Sequence, residues 1–141
     1  MASQPRPEIP VSFRCEFDRA SKIMLIQFKG RVTNEVLEVS YRTAQRYATL
    51  MDASASIMDC SLVTEFDVSA DLIRQLANQE PVLSDPTRPR FIIASKTLVF
   101  GLARMFQIMG EHSRPLLKVV RTMDEALVAL GVKSLHFEPL E

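Results

Sequence analysis

Glycine is scarce in this chain of 141 residues. There are four in all, none clustered into a loop that could cradle phosphate, so nucleotide hydrolysis and dinucleotide chemistry have no support. Net charge is lacking too. Seventeen Lys and Arg balance seventeen Asp and Glu, which removes the basic footprint that non-specific nucleic-acid binding or adhesion to anionic lipid requires. Cysteine is limited to Cys15 and Cys60. Each is isolated within a predicted strand, a pattern that reads as two buried thiols rather than a disulfide or a metal site. No stretch is apolar for long enough to cross a bilayer, and the start, Met-Ala-Ser-Gln-Pro-Arg-Pro-Glu, lacks the apolar core of a signal peptide. The expectation is a cytoplasmic protein with no membrane insertion and no nucleic-acid partner.

What is present is a chain of ordinary single-domain length that can bury a core without metals or disulfides. Residues 1–10 carry three prolines and read as a flexible lead-in, with the domain spanning 11–141. Val11, Phe13, Cys15 and Phe17 alternate with polar residues, the period of a strand with one wet face. After the turn Asp18-Arg19-Ala20-Ser21, the apolar run Ile23 to Phe28 predicts a more deeply buried strand, and the two form an antiparallel hairpin. Thr33 or Asn34 caps a helix to about Met51 with Leu37, Tyr41, Ala44, Ala48 and Met51 on one face. Arg42 and Arg46 read as its solvated side.

A strand at Ala55 to Cys60 follows, then a loop from Ser61 to Ser69 and a helix from about Ala70 to Asn78. Prolines keep 81–89 a loop. Phe91 to Ala94 is a short buried strand, and Ser95 caps a helix over Thr97 to Met109. Leu116 to Val120 is the last core strand. Thr122 and Glu125 form a capping box for a final helix that stops at Gly131. The tail from Val132 either adds a small edge strand or packs loosely. The order β-β-α-β-α-β-α-β-α, alternating after the hairpin, implies parallel strands joined by right-handed crossovers.

The most informative stretch is Ile57 to Ala70, where a buried strand reaches Asp59, a hydroxyl-rich turn follows, Asp67 appears, and Ser69 offers an oxygen to the next helix. This layout resembles the STAS family, whose founding member is a bacterial anti-sigma-factor antagonist, and is most similar to the bacterial branch described as like that antagonist. The resemblance runs from about Lys22 to Gly131. The family pattern is a strand ending in Asp, a short turn, then an Asp followed by the serine that a kinase phosphorylates. Asp59 and Asp67 match the two acids, but Val68 stands in the serine's place, with Ser69 one residue later. The resemblance therefore implies a STAS-like α/β fold: a mixed sheet of about five strands with helices mainly on one face. It also implies a protein partner, while the departure at Val68 leads to the expectation of a site without the usual phosphoserine switch.

Helix Thr97–Met109 is apolar nearly throughout. Leu98, Leu102, Met105, Phe106 and Met109 read as its core stripe, which leaves Phe100, Arg104 and Gln107 on the far side with Ile108 flanking them. That quartet is a candidate contact surface for a protein, a second copy of the chain or an apolar ligand, and Phe100 to Phe106 is similar to a recurring element of the same branch.

For catalysis, a nucleophile, a base and an orienting group must converge. His112 lies in a polar loop, His136 lies near the end, and no cysteine sits at a helix start where its thiol would be activated. Two aspartates without histidine or a third acid are a weak metal set. The reading is thus a non-catalytic interaction or regulatory module with no cofactor and no metal, whose interaction loop comprises Asp59, Ser61, Thr64, Glu65, Asp67 and Ser69. The alternative is a carrier or sensor of a small apolar ligand, as in the lipid-carrier fold sometimes paired with that branch, using the helix over 98–109.

Overall fold

The computed structural model describes residues 12–140. The expectations for the lead-in 1–10, for Val11 and for Glu141 lie outside the described residues. Six strands form one mixed sheet in the order β5-β4-β3-β2-β1-β6. Strands β1 (Phe13–Asp18) and β2 (Ile23–Thr33) are the antiparallel hairpin. Strands β3 (Ala55–Asp67), β4 (Arg90–Ile93) and β5 (Leu117–Val120) then add in parallel. The tail supplies β6 (Glu138–Pro139), antiparallel to β1, so the sheet has one strand more than the apolar runs alone indicate.

Alternation along the strands sorts the interior into two layers. Met24, Ile26 and Phe28 point to one face, under α1 (Asn34–Met51), α2 (Ala70–Ala77) and α3 (Thr97–Met109). Ile23, Leu25, Ala55, Ile57, Phe91 and Ile93 point to the other, covered by α4 (Met123–Leu130) and by Val132, Leu135 and Phe137 of the tail. Three helices against one is the predicted asymmetry.

The caps are as local chemistry requires. Thr33 Oγ1 accepts from Val36 N at 3.3 Å to start α1, with Glu35 in the first turn, and the helix ends at Asp52 in the left-handed region at φ 50°. Thr122 Oγ1 accepts from Glu125 N at 3.2 Å, Glu125 Oε2 accepts from Arg121 N at 3.1 Å, and Gly131 closes α4 at φ 71°. One predicted cap is corrected. Lys96, not Ser95, is the N-cap of α3, and no side chain closes that end.

The larger correction concerns β3. It continues through thirteen residues to Asp67, so the stretch expected to be a loop from Ser61 is strand up to that point. The reason is non-local: β2 also runs on to Thr33, and the two pair beyond the end of β4. Pairing passes from Gln27↔Asp59 to Lys29↔Leu62, so that two steps in β2 face three in β3, and a second shift falls between Gly30 and Arg31. Such bulges re-aim side chains, and Gly30 at φ 75° accepts the required turn of the backbone.

Two buried arginines fasten the connection from α2 to β4. Arg114 donates to the carbonyls of Ala77 (2.9 Å), Leu76 (3.0 Å) and Gln79 (3.1 Å) and to Tyr41 Oη (2.7 Å), with its guanidinium 4.7 Å from the centre of the Phe106 ring. Arg90 donates to the carbonyls of Leu83, Asp85 and Arg88. Carbonyl oxygens here do for a buried cation what carboxylates do elsewhere, leaving no donor of the pair stranded.

Candidate functional site

Parallel strands and right-handed crossovers bring the end of β2, the end of β3 and the starts of α1, α2 and α3 to one rim of the sheet. Asp59 does not reach the rim surface. It is buried in the middle of β3, where its Oδ1 accepts from Ser61 N at 2.9 Å and its Oδ2 accepts from Gln27 Nε2 at 3.0 Å. Its work is to shape the first bulge. Ser61, Thr64, Glu65, Asp67 and Ser69 are all exposed, so five of the six residues expected at the interaction loop meet solvent, from a strand edge and a two-residue turn rather than from a loop.

The rim is held from both sides. Arg31 Nη2 pairs with Asp67 at 2.7 Å and its Nε lies 3.5 Å from Glu65. The Asp67 hydrogen bond and the Glu65 charge together raise the Arg31 pKa above its usual value. Ser69 Oγ accepts from Leu72 N at 3.2 Å and so caps α2. Asn34 then closes a reciprocal pair across the two helix starts, its Oδ1 accepting from Ser69 N at 2.9 Å and its Nδ2 donating to Ser69 Oγ at 3.3 Å. Lys96 reaches Val63 O at 2.5 Å, which ties the start of α3 to β3. Arg31, Asn34 and Lys96 are the residues that sequence reasoning misses, because each acts through a partner more than 30 positions away.

Among the described residues at this rim, no nucleophile and base are brought together. Cys60 is buried beside Asp59, and burial, then that neighbouring charge, pushes its thiol up to about 12. Burial pushes Cys15 up to about 11. Both are inert as nucleophiles near neutrality. His112 and His136 are exposed, whereas both thiols are buried. Among the described residues no three of His, Cys, Asp and Glu come together as a metal site.

The second candidate surface is rearranged. The buried positions of α3 are Val99 and Ala103, whereas Leu98 is 64 % exposed and Met109 also meets solvent. Phe100 is half-buried and packs against the core, with Arg121 Cζ 4.1 Å from the centre of its ring, so it is not the ring in water that the predicted stripe required. Arg104 donates to Gln107 Oε1 at 2.7 Å, and Gln107 donates to Leu117 O at 2.8 Å, binding α3 to β5. Only Ile108 of that quartet presents an apolar side chain outward, at 63 % exposure. The face was misphased because α3 is apolar on all sides and offers no single stripe to read.

The overall fold is similar to that of two solved structures of SpoIIAA. This is the STAS fold. The anti-sigma factor antagonist SpoIIAA in its unphosphorylated form superposes with a TM-score of 0.60 at 11 % identity, over 86 % of this chain and 99 % of that one. The Bacillus cell fate determinant SpoIIAA in the phosphorylated form gives a TM-score of 0.54 at 14 % identity, over 84 % and 98 %. No protein-family model and no curated protein matches the sequence. At such identities the STAS likeness concerns architecture, and it spans nearly the whole of the antagonist.

Proposed function

We propose that this chain is a non-catalytic regulatory module of the cytoplasm that binds a protein through the rim formed by Ser61, Thr64, Glu65, Asp67 and Ser69. The observation that carries the reading is the construction of that rim: exposed acids and hydroxyls on a backbone held by Arg31, Asn34 and Lys96. A rigid polar edge of this kind binds with little ordering cost. Solved proteins of the same fold include an anti-sigma factor antagonist, which fits a partner-binding role. Asp59 supports the rim from beneath. Val68 offers no hydroxyl, and Ser69 is engaged as a helix cap, so partner release is independent of phosphoserine.

The apolar-ligand alternative is weaker. The cavity under α3, between Phe28, Cys60, Leu76 and Phe106, holds about 50 Å³, against the several hundred that a drug-sized molecule fills. Native mass spectrometry of protein purified from its own host tests the reading, run beside the rim variant Glu65→Arg. The expected result is a co-purifying protein with wild type that Glu65→Arg loses, and Ser69 unmodified in phosphopeptide maps. A stoichiometric small apolar ligand retained by both proteins would overturn it, and phosphate on Ser69 coupled to partner loss would restore the switch.

A further inference from the structure

On the sheet face that carries α4, one row of side chains crosses three strands. Arg14 of β1 lies opposite Gln27 of β2, and Gln27 lies opposite Asp59 of β3. The three form a relay. Buried Asp59, fixed by Ser61 N at 2.9 Å, accepts from Gln27 Nε2 at 3.0 Å, which leaves Gln27 Oε1 to accept from Arg14 Nη2 at 3.1 Å. Glu16 Oε1 lies 3.0 Å from Arg14 Nε. Two acceptors therefore aim an exposed guanidinium, and of its five N–H donors those on Nη1 meet no acceptor among the described residues. Beside it is a pocket of about 290 Å³ lined by Phe13, Arg14, Gln27, Lys29 and Leu62. The first bulge of β3 helps to make it, because the extra residue leaves Leu62 48 % exposed opposite Lys29. Lys29 is exposed too, and its Nζ has no carboxylate partner among the described residues. The lining thus joins two cations, no acid, an aromatic ring and an aliphatic side chain.

We infer that this pocket binds a small amphiphilic monocarboxylate, its charge between Arg14 and Lys29 and its apolar body against Phe13 and Leu62. The charges select the class. Glu16 already balances part of Arg14, and Asp59 lies next to Gln27 in the same row, so a single negative charge suits the site where a phosphate dianion would be repelled by two nearby carboxylates. A planar carboxylate also matches the fork of a guanidinium. The volume stands at the lower end of the roughly 300–1,000 Å³ typical of ligand pockets, which fits a small molecule. Exposure of both cations to water keeps the site weak, with a dissociation constant between about 10 µM and 1 mM. The site is distinct from the cavity under α3, which shares none of these lining residues, and it does not depend on protein binding at the rim.

Amide chemical-shift titrations of the full chain test this with benzoate and octanoate as probes, and with neutral benzamide and inorganic phosphate as controls. At least one of the two acids is expected to give saturable shifts at Arg14, Gln27, Lys29 and Leu62, with a dissociation constant below about 1 mM. Lys29→Gln should weaken that binding about tenfold, and Lys29→Arg should retain it. Leu62→Ser should weaken it as well. Both positions are exposed, so these variants are expected to melt close to wild type. Neither acid saturating below about 10 mM, benzamide binding as tightly as benzoate, phosphate binding more tightly than both acids, or an affinity unmoved by Lys29→Gln would each overturn the assignment.

Discussion

On one face of the sheet three helices press on Met24, Ile26 and Phe28. On the other, a single eight-residue helix and an extended tail cover Ile23, Leu25, Ile57 and Phe91. The first face is secured many times over, by large fully buried side chains and by Arg114, which joins α2 to Tyr41 of α1. The second hangs on a few local devices: the Thr122 cap, Gly131, and the hold of Asp18 on the tail. Both layers exclude water from the same strands, but the second depends on end effects, which are individually worth about 1 kcal/mol against several for a core side chain.

The comparison breaks most easily at its heavy end. Phe28→Ala removes a ring that is 1 % exposed and should cost about 3–5 kcal/mol. Half-buried Leu135→Ala on the thin face should cost no more than about 2 kcal/mol. Denaturant midpoints at unchanged slope measure both. Equal losses would mean that the tail is as much core as the helical layer.

Next in size is Arg114→Met. It keeps apolar bulk against Phe106 but strands the carbonyls of Leu76, Ala77 and Gln79. A loss of at least about 2 kcal/mol is expected, since hydrogen bonds from a charged donor contribute roughly 1.5–3 kcal/mol. Unchanged stability would show that water replaces the guanidinium, and that α2 needs no such clamp.

These layers were unequally legible in the sequence. Local signals located α1 and α4 within a residue or so, because Thr33, Thr122 and Gly131 are caps whose chemistry lies beside them in the chain. The order of strands followed from alternation. What failed was whatever depends on distant pairing. Ser61 to Asp67 is rich in hydroxyls and acids and reads as loop, yet β2 recruits it into the sheet. In α3 a lone charge, Arg104, could not orient a helix with apolar residues all round, so Phe100 was placed in water and Leu98 in the core. Arg90 and Arg114 look like surface residues by type, and only the open carbonyls at the end of α2 and in the following loop explain their burial. At the candidate site, the exposure of Ser61, Thr64, Glu65, Asp67 and Ser69 was legible from their polarity, while the burial of Asp59 was not, because it rests on the bonds to Gln27 and to Ser61 N.

On the thin face, Thr122→Ala should cost about 1 kcal/mol, the usual value of a helix N-cap. The same change in Thr33, which starts α1 on the thick face, should cost no more than that, since α1 is fixed by its buried stripe Leu37, Tyr41, Ala44 and Ala48. Denaturant melts of the two variants compare the faces directly. A larger loss at Thr33 than at Thr122 would contradict the dependence of the second layer on its ends.

The smallest effect, and the one that most sharpens the contrast, is carried by Asp18. Its carboxylate accepts from the Ser21 hydroxyl and from Ser21 N at 2.9 Å, and on its other oxygen from His136 N at 3.0 Å, so one side chain joins the hairpin turn to the tail. The Ser21 hydroxyl bond is the main reason that its pKa lies below the usual carboxylate value, and the His136 backbone bond acts in the same direction. A depressed folded-state pKa means that the unfolded chain binds the proton first. The stabilisation is therefore fully present above the ordinary carboxylate pKa of about 3.9 and is lost as pH falls through the lower folded value. Asp18→Asn should melt below wild type at neutral pH, and the gap should close as both are taken through the acid range. Thermal melts between about pH 7 and pH 2.5 read it, a span that brackets the carboxylate titration. A gap that stays constant over that span would show that shape, not charge, fastens the tail at Asp18.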